Sequence, residues 1–104
     1  MMYLMETIKC FPGKKEEFVK FIAEFWRIIG KYGIVKPEGL WLAESGDSDE
    51  VTVLISVQKP ADFEKRWEIY RQDEELLKHV QKRAALGEAT QMKWLRPAAP
   101  SPLK

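Results

Sequence analysis

An α+β fold, a four-stranded antiparallel sheet with two helices on one face in the order β-α-β-β-α-β, is what three features of the 104-residue sequence predict. Apolar runs that alternate or are rich in β-branched residues recur at 3–10, 40–45, 51–58 and 89–96. Stretches of helical period at 14–32 and 59–86 separate the first run from the second and the third from the fourth. The middle runs are joined only by the polar segment GDSDE, which makes them a hairpin.

The first strand, YLMETIKC, sets Leu4, Glu6, Ile8 and Cys10 on one face and Tyr3, Met5, Thr7 and Lys9 on the other. Period two alone leaves open which face meets the helices. FPGKK then breaks the chain with Pro12 and Gly13. From Lys14 to Tyr32, Phe18, Phe21, Ile22, Phe25, Ile29 and Tyr32 fall on one side of a helix, and Val19 and Trp26 widen that side beyond what one sheet requires. KYGIVKPEG, with Gly33, Pro37 and Gly39, reads as the turn that ends the helix, and LWLAES as the second strand. In VTVLISVQ, residues 51–58, Val51, Val53, Ile55 and Val57 suit the helices, while Thr52, Leu54, Ser56 and Gln58 form a mixed opposite face. The second helical stretch opens at Pro60 and Asp62. Its stripe moves from Phe63, Trp67 and Tyr70 to Leu76, Leu77, Val80 and Ala84, which predicts a break near Gln72 and Asp73. ATQMKWLR follows Gly87 as the last strand. Residues 1–96 therefore form one domain of the ferredoxin-like sandwich type, and the Pro-rich residues 97–104 a tail expected to fray. A sheet with helices on one side and half-apolar residues on the other needs cover for that open face, and a second copy is the economical candidate.

Composition narrows the function classes. Lys+Arg 17 against Asp+Glu 16 gives no net field to draw nucleic acid or anionic lipid. Stacking aromatics, which an RNA-binding sheet of this topology needs, are missing from VTVLISVQ. No apolar run approaches the roughly 18 residues of a membrane span, and the N-terminus has no cationic segment before Glu6, so a cytoplasmic protein is expected. Cys10 and His79 are the only residues of their kinds, which excludes an intramolecular disulfide and the usual Cys/His zinc sets within one chain. No metal or cofactor is called for.

YLMETIKCFPGK resembles the opening strand and Pro-Gly-Lys turn of NIPSNAP-like proteins, and GLWLAESGDSDEVTVLISVQKPADFEKRW resembles their Gly-x-Trp hairpin and the helix with its Arg. The resemblance covers residues 3 to about 70 and continues beyond only as topology. It implies a dimeric α/β barrel, shared with cofactor-independent antibiotic-biosynthesis monooxygenases and haem-degrading monooxygenases. Two facing sheets would make the barrel, and each protomer would keep a pocket between sheet and helices for a small, often aromatic, ligand. NIPSNAP-like sequences usually place an Arg where Glu6 stands, so the charge is reversed here and that role does not transfer.

Glu6 is accordingly the first candidate. A carboxylate under cover is paired, protonated or at the rim, or else it faces a ligand. Trp41, Arg66, Trp67, Tyr70 and Trp94 complete the candidate pocket, with Arg66 at the position of the family's helix Arg and able to pair with Asp62 or Glu6. Haem chemistry in the related branch uses an Asn, a Trp and a His; Trp67 and His79 are present but the chain has no Asn. His79 reads as a partly exposed surface residue, and Cys10 as a small buried apolar one with no partner to activate it. The sequence thus supports a homodimeric binder of a small apolar or aromatic molecule, with a cofactor-independent oxygenase or isomerase and a purely structural dimerisation module as alternatives.

Overall fold

The computed structural model describes residues 1–102. Strand β1 (Met2–Cys10) leads into helix α1 (Lys15–Ile29), which ends in a 3-10 turn at Gly30–Tyr32. Strands β2 (Lys36–Leu42) and β3 (Glu50–Val57) follow as a hairpin. Three short helices, α2 (Pro60–Glu64), α3 (Arg66–Gln72) and α4 (Glu74–Val80), come next, then a 3-10 turn at Gln81–Ala85 and strand β4 (Gly87–Leu95). The sheet runs β2-β3-β1-β4 with antiparallel neighbours throughout, the ferredoxin-like arrangement.

The core lies between the sheet and the helices. Val51, Val53, Ile55 and Val57 point into it from β3, and Leu4, Ile8 and Cys10 from β1. From α1 it receives Phe18, Phe21, Ile22, Ile28 and Ile29. Each buried side chain of this size stabilises by about 1.5–3 kcal/mol relative to exposure. Tyr32, expected on the same stripe, is exposed instead: the tighter 3-10 turn rotates it off the core, and its hydroxyl donates to Asp73 at 2.5 Å. Gly33 adopts φ +68 to end that turn, a conformation an L side chain resists.

Two boundaries differ from the sequence reading. β2 begins at Lys36 and includes Pro37 and Gly39, because β2 is an edge strand, where a missing N–H is tolerated. The register shifts between Pro37 and Gly39, so the irregularity signalled by these residues is a bulge within the strand. The second helical stretch breaks at Asp73, as its shifted stripe predicts, and also at Lys65. Asp73 leaves helical geometry (φ -110, ψ 99) and caps α4, its Oδ1 accepting the Leu76 N–H at 3.0 Å.

His79 is a second difference of environment: it is buried, its ring stacks on Phe21 at 4.5 Å, and its Nε2–H donates to the Phe21 carbonyl at 2.8 Å. It fastens α4 to α1. Cys10 is buried as expected, and burial pushes its thiol pKa up. Residues 97–102 carry a single turn, in which the Ser101 N–H donates to the Ala98 carbonyl at 2.9 Å; the last two tail residues lie outside the described ones.

Candidate functional site

A cavity of about 610 Å³ opens between the sheet and the helices. Its floor is the helix-facing side of β1, β3 and β4: Leu4, Glu6, Ile8, Val53, Ile55 and Met92. Aromatic side chains of α1, among them Phe18, Phe21, Phe25 and Trp26, form one wall. Trp26 is thereby accounted for by the cavity. The opposite wall comes from Phe63, Arg66, Trp67, Tyr70 and Arg71 on α2 and α3, closed by Leu77, Val80 and Arg83. The two walls share a floor because antiparallel pairing sets Glu6 between Val53 and Met92 on one face of the sheet.

Glu6 is both paired and cavity-facing. Arg83, in the turn before β4, donates to its Oε1 across the cavity floor. Arg66 does not reach Glu6. Its guanidinium lies over the Phe63 ring at 3.8 Å and the Trp67 ring at 4.3 Å, and donates to the Phe63 carbonyl at 3.1 Å. Trp67 meets Tyr70 edge-on at 5.5 Å. Burial raises the Tyr70 phenol above its ordinary pKa, while the charge of Arg66, a hydrogen bond to Arg66 and the charge of Arg83 act against that rise. Arg66, Trp67, Tyr70 and Glu6 therefore share one polar-aromatic end of the cavity.

Trp94 and Trp41 stand differently. Trp94 shares the helix-facing side, opposite Leu4, and meets Phe63 edge-to-face at 5.9 Å, so it supports the wall from behind. Trp41 belongs to the other face of the sheet, because its register partner Thr52 points away from the helices, and it is not among the residues that line this cavity. Its indole lies against Gly39, where a Cβ would meet ring atoms at 2.2 Å, which explains the Gly-x-Trp pairing in contact terms. Arg83 and Arg71 escaped the sequence reading. Arg83 carried a usable signal, since it continues the Leu76, His79, Val80 spacing by one further step.

The open face of the sheet presents Trp41 (52% exposed) and Leu95 (39% exposed) beside half-buried Met5 and Leu54. Among the described residues no three His, Cys, Asp or Glu side chains gather to hold a metal ion, and no helix is long and apolar enough to cross a membrane.

The NIPSNAP family model matches residues 3–102. Among solved structures, a NIPSNAP family protein from Agrobacterium tumefaciens superposes with a TM-score of 0.80 at 21% identity, covering 100% of both chains. An uncharacterized NIPSNAP domain protein from Burkholderia xenovorans does so with 0.77 at 22% identity, over 98% of this chain and 99% of its own. A protein from Chloroflexus aurantiacus provisionally named an antibiotic biosynthesis monooxygenase superposes with 0.66 at 12% identity, over 97% of each chain. No curated protein matches.

Proposed function

Because this chain belongs to the NIPSNAP family, we propose that it is a cytoplasmic homodimer whose protomers each bind a small apolar or aromatic molecule between sheet and helices. The cavity carries this reading. Its roughly 610 Å³ far exceeds a packing defect, and its walls are apolar and aromatic with a few polar groups at one end, the character of a small-molecule site. Dimerisation through the open face supplies cover for Trp41 and Leu95, which a lone protomer leaves in water, and completes that of half-buried Leu54.

Native mass spectrometry of the purified protein tests both halves. A dimer carrying releasable mass supports the proposal. A monomer removes the assembly, and a Trp41→Glu variant that stays dimeric removes this face as its interface.

One observation favours a catalytic reading, a cofactor-independent oxygenase or isomerase acting on a small aromatic or enolic substrate: Glu6 and Tyr70 offer a carboxylate and a phenol at the same cavity end. Glu6→Gln separates the readings. It lowers turnover if the cavity catalyses, changes affinity alone if it binds, and preserves or improves stability if the protein is only a structural dimerisation module.

A further inference from the structure

The charges lining the cavity do not balance. Arg66, Arg71 and Arg83 face a single carboxylate, Glu6, and Arg83 already engages it. Arg66 has only 17% of its side chain exposed; its nearest acid, Glu64, is 3.9 Å away and itself 68% exposed. One of its five N–H donors serves the Phe63 carbonyl, the Tyr70 hydroxyl engages the same guanidinium, and the Phe63 and Trp67 rings lie 3.8 and 4.3 Å from it. Arg71 makes no ion pair among the described residues. A guanidinium set against two rings, drawn largely out of water and with N–H donors that neither the Phe63 carbonyl nor Tyr70 uses, is a built receptor for a planar anion.

We propose that the cavity selects an aromatic carboxylate, its carboxylate on the free edge of Arg66 beside the Tyr70 hydroxyl and its ring body against the Phe and Trp side chains of α1. The inference rests on the cavity being a binding site and names what that site prefers. The apolar walls supply most of the affinity, and the arginine end supplies the choice between an acid and a neutral molecule of the same shape. Glu6 then acts as a moderator: by neutralising Arg83 it limits the anion's attraction without cancelling Arg66 and Arg71.

Isothermal titration with 2-naphthoate and with the neutral 2-naphthalenemethanol tests this on the purified protein. The acid is expected to bind about tenfold tighter than the alcohol, and Arg66→Gln to bring the ratio of the two affinities to about one. Arg66→Lys should restore part of it. Equal affinities in the unaltered protein, or a preference that survives Arg66→Gln in a folded variant, overturn the anion assignment while the cavity reading stands. Failure of both probes to bind overturns the cavity reading and this inference with it. Should Arg66→Gln not fold, Glu6→Gln decides: freeing Arg83 must raise the ratio of naphthoate to alcohol affinity about threefold, and a ratio that does not rise overturns the assignment.

Discussion

Glu6, at the middle of the central strand β1, and Arg83, in the turn that leads into β4, form an ion pair across the cavity floor although 77 positions separate them. The pair ties the last strand's approach to the middle of the sheet. With side chains 40% (Arg83) and 24% (Glu6) exposed, water screens it, and its coupling is expected to be about 1 kcal/mol. Arg83→Met should therefore destabilise modestly, and Glu6→Gln in the same chain should recover part of the loss. Urea unfolding of the four members of a double-mutant cycle measures this. A coupling of zero would mean that the two charges act independently.

Asp73 links stability to pH. The Tyr32 hydroxyl and the Leu76 N–H both donate to its carboxylate, which holds its pKa below the ordinary carboxylate value. Lys9 does the same for Asp47, and Arg27 for Glu24. A depressed folded-state pKa contributes stability that is complete above the unfolded value, near 3.9, and is lost as pH falls through the folded one. The unfolding midpoint of the native protein should thus hold steady from pH 7 to about 5 and drop below pH 4. Asp73→Ala should lower the midpoint at pH 7, and the gap should narrow on acidification. A gap constant with pH would place the role of Asp73 outside its charge.

Neighbouring leucines of α4 have opposite environments. Leu76 is fully buried, whereas Leu77 is 37% exposed at the cavity wall. Leu76→Ala should cost about 2–5 kcal/mol and Leu77→Ala under about 1 kcal/mol, measured by chemical denaturation. Equal losses would contradict the orientation of α4.

Cys10 should be unreactive while the protein is folded. It is 1% exposed, and burial raises its thiol pKa, so both access and thiolate fraction are low. Ellman's reagent at pH 8 is expected to label it only at the rate of unfolding. Prompt stoichiometric labelling would show that the start of the β1–α1 turn opens locally.

The sequence reading succeeded where a period had one interpretation. The α1 stripe from Phe18 to Ile29 and the alternation Val51, Val53, Ile55, Val57 each point one way, and the structure sets them against the core as read, with Tyr32 at the end of the stripe the exception. β1 was ambiguous for a physical reason: Leu4, Ile8 and Cys10 are buried on one face, yet Tyr3 and Thr7 are sheltered on the other. Only pairing with β3 and β4 assigns Glu6 to the helix side. Trp41 needed the same information, since an aromatic on a strand suits either face until its register with Thr52 is known. His79 was mislocated because the stripe was drawn through Leu76, Leu77, Val80 and Ala84, which leaves position 79 beside it, whereas the structure packs that position on Phe21. Arg83 could not be matched to Glu6, because no local rule connects residues so far apart.

Helices α2, α3 and α4 run only five, seven and seven residues, whereas α1 runs fifteen. Helices that short do not persist by themselves, since roughly 12–15 residues are needed even in favourable sequences. The wall they form over the cavity therefore holds its shape by leaning on its neighbours, with its joint at Asp73, where the backbone leaves helical geometry. Amide hydrogens in residues 60–80 should exchange through opening of this segment alone, while those of β1, β3 and α1 await unfolding of the whole domain. The molecule is in this sense a fixed tray with a jointed cover, whose segments can open without loosening the sheet.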